Sequence, residues 1–228
     1  MYRDYPLTGS GADFMYKVYS WMAAALALTA GVAYAVYSTP MLFALLVHNL
    51  PVIFLLFMGQ FCLVLILSSM IHRLSFKTAA VIFISYAILN GITLSTLFFV
   101  YTMSSIYLTF GVSAGMFGIM AMYGYYAQED LTALGNIAFM GLIGIILASL
   151  VNFFVGSSAI EYILSLVGVG VFTILTAYDS QKLKNLGVQL MHHGEAASKA
   201  ALIGALDLYL DFLNLFLFML RLLGTRKR

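Results

Sequence analysis

The sequence predicts an all-α fold: a polytopic membrane protein whose seven transmembrane helices form a bundle with the C-terminal helix at its centre. Three observations carry this reading. Hydrophobic residues make up 63% of the 228 and charged residues only 9%, whereas soluble domains draw on about 25% charged residues. Such a chain cannot cover a water-facing surface. Apolar runs of about 20 residues recur along it, the length that crosses the hydrocarbon of a bilayer as a helix. In lipid such runs must be helical, because every backbone N–H and C=O has to be paired within its own segment.

Taken in order, the spans fall at 18–37, 51–71, 78–101, 106–126, 136–155, 160–178 and 201–223. Residues 1–17 carry Asp4 and Asp13 and no small-residue cleavage site before a short apolar core, so they read as a tail leading into the first span, not a cleaved signal. Residues 224–228 form a basic tail. No linker or composition shift divides the chain, and 1–228 is expected to be a single transmembrane domain. The longest connection is "DSQKLKNLGVQLMHHGEAASKA", residues 179–200. Pro6, Pro40 and Pro51 all precede the body of the second span, so the later helices should carry no proline kinks. Gly111, Gly115 and Gly118 in the fourth span, and Gly141, Gly144 and Ala148 in the fifth, are expected to mark close helix contacts. Gly168 and Gly170 read as packing surface in the sixth.

Lysine and arginine set the orientation. Arg3 and Lys17 precede the first span, Arg73 and Lys77 lie between the second and third, and Lys182, Lys184 and Lys199 between the sixth and seventh. Residues 38–50, 102–105 and 156–159 have none. The alternation places the N-terminus in the cytoplasm. The ending "RLLGTRKR" opposes it, since seven full spans put Arg221, Arg226, Lys227 and Arg228 at the other side; a short or re-entrant last helix would return them. Seven full spans is the reading adopted.

Several function classes drop out. A net charge of +2 spread over short loops is no footprint for nucleic acid. One cysteine, Cys62, allows no intramolecular disulfide. His192 and His193 beside Glu195 point in different directions from a loop and read as solvated, not as a metal site. The chain has no phosphate-cradling glycine loop and no nucleophile elbow. Neither an enzyme nor a cofactor is expected, and the one certain partner is the lipid bilayer.

The seventh span holds the chemistry. It carries Asp207 and Asp211, which cost about 5–7 kcal/mol together on an insertion scale, while its ten leucines, Ile203 and three phenylalanines return about 4–8. The helix is marginal unless the carboxyls are protonated, paired, or facing water inside the bundle. Asp207, Asp211 and Asn214 stand at i, i+4 and i+7 on one stripe, extended by Gly204. Intramembrane acids face a bundle interior, so this stripe should point inward. Candidate partners are Asp179, on a face with Thr173 and Thr176 at the end of the sixth span, and Tyr86, Asn90 and Thr93 in the third. Arg73 and Lys77 are the nearest counter-charges. Two carboxyls sharing a proton titrate as a unit, so such a pair is a proton-controlled switch and a hard-oxygen site for a cation such as calcium. The same acids could instead be hydrogen-bonded to Tyr, Asn and Thr and only fix helix register.

A membrane-embedded aspartyl protease also uses two aspartates, in "YD" and "GxGD" strings. Tyr178–Asp179 fits the first, but "GALD", Gly204 to Asp207, fails the second, and no proline follows Pro51 to supply the expected Pro-Ala-Leu.

The strings "AYDSQKL" and "LDLYLDFLNLF", with "KVYSWM" entering the first span and "YAILNGITLS" in the third, resemble the transmembrane Bax inhibitor motif family in its bacterial form, across essentially the whole chain. The resemblance implies a bacterial inner-membrane location, a central last helix, and a pH-sensitive calcium leak with calcium ions and protons as its partners. It implies that Asp179 in "AYD" and Asp211 in "YLDF" form the pH-sensing gate, and that Arg73 in "MIHRLSF" is a latch. The loop between the acids looks longer than is usual in the family, with "HHGEAASKA" inserted, which leaves Asp207 as an alternative partner for Asp179. The family also implies a second class of function, binding and modulation of a membrane protease.

Overall fold

The computed structural model describes residues 10–190 and 194–227. Among them nine helices follow one another: α1 (Ser10–Tyr37), α2 (Pro40–His48), α3 (Leu50–Met70), α4 (Phe76–Leu94), α5 (Leu97–Val100), α6 (Met103–Tyr126), α7 (Thr132–Val155), α8 (Ser158–Gln189) and α9 (Gly194–Leu223). Seven stretches are long and apolar enough to cross a membrane: α1, α3, α4 with α5, α6, α7, α8 and α9. The fold is all-α and polytopic, as the composition requires. Phe153 is 81% exposed and Leu50 78% exposed, side chains that only lipid can cover. In α9, 67% of the most apolar window is buried, against 11–39% in the other six, so α9 is the enclosed helix of the chain.

The two ends of the sequence-derived map shift. The first helix begins at Ser10, inside the expected tail; residues 1–9 lie outside the described residues. The expected loop at 179–200 is mostly helix. α8 runs on to Gln189 and α9 starts at Gly194; His192 and His193 lie outside the described residues. Hydropathy registers only the part of a helix that sits in lipid. α8 has 32 residues, roughly 48 Å at 1.5 Å per residue, longer than a ~30 Å hydrocarbon core. Its last turns continue as an amphipathic helix that buries Gln181, Leu183 and Gly187.

The chain packs as two compact units. The first comprises α1 to α5, the end of α8 from Leu186, and α9 as far as Tyr209. Here α1 lies against α4: Trp21 packs on Phe76 and Phe83 at 6.1 and 6.4 Å between ring centroids. A Cβ on Gly91 would stand 2.7 Å from the Thr29 carbonyl oxygen, so the two backbones meet there. Gln60 on α3 donates to the Leu89 carbonyl (2.9 Å) and to Thr93 Oγ1 (2.6 Å). Residues 38–50, expected as a loop, contain the apolar helix α2, opened by Pro40 at its first position. The third span is interrupted at Ser95 and Thr96 without any proline. Ser95 Oγ donates to the Ile92 carbonyl (2.6 Å) and Thr96 Oγ1 to the Thr93 carbonyl (2.8 Å), bonds that compete with the helical ladder.

The second unit comprises α6, α7, α8 as far as Asn185, and α9 from Leu210. Glycines set its closest approaches, though not all those the spacing singled out. A Cβ on Gly124 of α6 would strike the Ala177 carbonyl of α8, and one on Gly135 of α7 would stand 2.5 Å from the Tyr178 ring. A Cβ on Gly168 of α8 would stand 2.6 Å from the Phe218 ring of α9, and one on Gly141 2.9 Å from Val171. A Cβ on Gly111, Gly115, Gly118, Gly144 or Gly170 would meet no other part of the described residues within 4 Å beyond its own helix backbone and chain neighbours. GxxxG spacing fixes that glycines share a face and leaves open which face meets a neighbour.

Gly124→Ala should therefore destabilise the protein by about 1–3 kcal/mol through overpacking against fixed backbone. Gly115→Ala, in open space on a helix, should be neutral or stabilising by up to about 1 kcal/mol. Thermal unfolding of the two variants in one detergent decides it; equal melting temperatures would refute the contact.

Candidate functional site

Asp179 sits on α8 between two fixed points. The residues before it, Ala177 and Tyr178, fill the notches at Gly124 and Gly135. Two residues after it, Gln181 donates from Nε2 to the Glu129 carbonyl (2.7 Å) and accepts the Leu131 N–H at Oε1 (2.9 Å), clamping the turn between α6 and α7. The backbone that carries Asp179 is thus pinned on both sides.

In the second unit the side chains of Asp179 and Asp211 lie close enough to interact directly. The Asp179 side chain is 15% exposed and Asp211 is 5% exposed. Two carboxyl groups this close can share one proton, which avoids placing two negative charges side by side. Lys182 Nζ, half exposed, lies 3.7 Å from Asp179 Oδ1 and 6.0 Å from the centre of the Tyr178 ring. The pair is buried, with one half-exposed ammonium beside Asp179.

The neighbouring hydroxyls and amides spend their donors on their own helices. Thr173 donates to the Val169 carbonyl (2.6 Å), Thr176 to Phe172 (2.7 Å), and Asn214 to Leu210 (2.9 Å). The two threonines then have only oxygen lone pairs left to offer, and Asn214 its amide oxygen and one N–H; oxygens are the ligands a hard cation takes. Among the described residues no group of three His, Cys, Asp or Glu could hold a metal ion. The other sequence-derived residues fall in the first unit. Asn90 donates to the Tyr86 carbonyl (3.0 Å), Asp207 is half-buried on α9, and Arg73 is exposed in the turn after α3.

Residues 11–228 match the family described as Inhibitor of apoptosis-promoting Bax1. The chain belongs to that family. It is 47% identical to the inner membrane protein YbhL of Escherichia coli strain K12, over 94% of this chain and 92% of that one. An uncharacterized protein of Deinococcus radiodurans is 45% identical over 93% of this chain and 90% of its own length. An uncharacterized membrane protein of Streptococcus pyogenes serotype M3 is 35% identical over 93% and 92%. This Bax inhibitor family member is a multi-pass membrane protein.

The family member also holds a polar network that the sequence did not single out. Tyr209, fully buried on α9 in the first unit, lies 2.7 Å from Thr29 Oγ1, which in turn donates to the Ala87 carbonyl (3.0 Å). Thr29 has one proton and has used it, so Tyr209 is the donor between them. The Tyr209 ring meets Phe83 and Tyr86 edge-on, each at 5.9 Å. The signal was present: Tyr209 stands between the two aspartates of its helix, and a buried tyrosine needs a hydroxyl partner. Outside the spans, the Thr132 hydroxyl and N–H, at 2.6 and 2.9 Å, hold the Asp130 carboxyl below the usual carboxylate range.

Tyr209→Phe should cost about 1 kcal/mol, one ordinary hydrogen bond, because Thr29 keeps its bond to Ala87. Thr29→Val should cost more, about 1–3 kcal/mol, because it strands a buried phenol. Denaturant unfolding in micelles checks the order, and the double variant should be no worse than Thr29→Val alone.

Proposed function

We propose that this protein is a pH-sensitive calcium leak of the bacterial inner membrane, with its N-terminus cytoplasmic and with the Asp179–Asp211 pair as its gate. The closeness of these two buried carboxyls supports the reading most directly. A proton shared between them ties α8 to α9, so the strength of the tie follows pH. The surrounding oxygen lone pairs suit a divalent cation in passage, and a dyad without further acids suits passage better than residence, since calcium held firmly takes 6–8 oxygens. The protein acts here as a conduit and performs no covalent chemistry. Asp207 stands one turn before Asp211 on the same helix.

The sign of the response follows from the proton count. With one proton the carboxyls bond each other and Lys182 faces the remaining charge. Removing that proton sets two negative charges in contact, and they repel. Adding a second discharges Asp179 and releases Lys182. Both departures loosen α8 from α9, so flux is lowest where the pair holds one proton and rises on either side.

Calcium entry into dye-loaded liposomes, measured across a pH series, tests this. Asp211→Asn keeps a permanent donor facing Asp179 and should abolish the alkaline rise while leaving the acid one. The double variant Asp179→Asn with Asp211→Asn should be flat at all pH. Native protein that admits no calcium at any pH would sink the proposal and leave the aspartates a structural role.

A further inference from the structure

We infer that a stripe of hydroxyls on α6, Ser105, Thr109 and Ser113, forms a hydrated path from the depth of Asp211 to the end of the bundle where the chain terminates, and that the C-terminal tail is its lid. The three residues stand at i, i+4 and i+8 on one face of α6, about 12 Å from first to last. All are buried, at 8%, 1% and 0% exposure.

Two of the three break the habit of membrane hydroxyls. Thr173, Thr176 and Ser165 each donate to the carbonyl four residues earlier. Thr109 Oγ1 and Ser113 Oγ make no hydrogen bond among the described residues, though both are buried. Neither oxygen bonds the carbonyl four residues back on its own helix, and both are shut away from the surface. An unsatisfied hydroxyl there is costly unless something polar reaches it.

The ring contacts give the depth. Phe212 on α9 meets Phe110 at 5.3 Å and Phe117 at 5.6 Å, the residues one turn to either side of Ser113. Ser113 is therefore level with Phe212 and with Asp211 beside it. At the other end of the stripe, Ser105 Oγ accepts the Thr225 N–H (2.8 Å), and the Thr102 N–H donates to the Thr225 carbonyl (3.1 Å). Arg226 pairs with Glu161 at the start of α8 (3.2 Å). The tail thus sits on the outermost hydroxyl and is held by one main-chain strap and one ion pair.

This rests on the leak reading, of which the stripe would be one half of the route, but its test does not depend on calcium. Single cysteines are placed at Ser113, Thr109 and, as a dry apolar control, Ile145 of α7, in a chain whose native Cys62 is replaced by serine. Each is incubated in lipid nanodiscs with a charged, membrane-impermeant thiol reagent. Ser113→Cys and Thr109→Cys should react while Ile145→Cys does not. Ending the chain at Gly224 should speed the reaction at position 113 by up to about thirtyfold, the change that loss of two ordinary hydrogen bonds supports. Ser113→Cys as inert as Ile145→Cys, with and without the tail, would overturn the path; equal rates with and without the tail would overturn the lid. A reactive Ser113→Cys in a protein that passes no calcium would sustain the path and reject the leak. Calcium flux with an inert Ser113→Cys would do the reverse.

Discussion

A carboxylate inside hydrocarbon must find a proton, a counter-charge or water, and this requirement organises the second unit. Asp211 lies on a helix whose apolar side chains only just offset the insertion cost of two acids. The closeness of Asp179 and Asp211 offers a way to lower that cost, because one proton shared by two carboxyls leaves one charge where there would be two. It succeeds only if Asp179 is held at a fixed depth. The glycine notches at Gly124 and Gly135, and the Gln181 clamp, supply that restraint. Close packing and proton sharing are therefore one device: rigid backbone on the α8 side, and a tie to α9 whose strength is chemical, not steric.

The same economy runs through the first unit in uncharged form. Tyr209 donates to Thr29, and Thr29 to Ala87, so each proton is used once and no donor is wasted. Gln60 reaches across from α3 to satisfy Leu89 and Thr93 where the α4 ladder is about to break at Ser95 and Thr96. A polar side chain from a neighbouring helix stands where the backbone begins to lose regular partners, the arrangement lipid demands of any interrupted helix.

Much of this was legible in the sequence because lipid leaves a chain few choices. Hydrophobic runs located the seven spans, and the i, i+4, i+7 spacing of Asp207, Asp211 and Asn214 marked α9 as the enclosed helix. What escaped had physical causes. The last turns of α8 are polar, so a hydropathy reading stopped at Tyr178 although Gln181, Leu183 and Gly187 keep a buried face beyond it. The break after Leu94 has no proline or glycine at its site; it arises from hydroxyl rotamers, which a sequence does not display. Asn90 and Asn214 were expected to serve the acids, yet an asparagine in a helix can also bond the carbonyl four residues back, and both do. The choice among glycines failed for a similar reason. Gly115 and Gly124 are alike in sequence, and only the facing helix distinguishes them.

The basic C-terminus was the one feature that opposed the charge pattern, and the structure shows how the opposition is borne. Thr225 and Arg226 lie with Tyr101, Thr102 and Glu161, connections that carry no lysine or arginine of their own. α9, at 30 residues, is long enough to cross a bilayer without shortening. Glu161 offsets part of the positive charge at the C-terminus. The Arg226–Glu161 pair is more than two-fifths exposed on both sides, and such pairs contribute at most about 1 kcal/mol. The hold on the tail rests mainly on the strap at Thr102 and Ser105. Two hydrogen bonds of ordinary net strength, about 1 kcal/mol each, fasten a segment that thermal motion can still release, which is the strength a lid requires and an anchor does not.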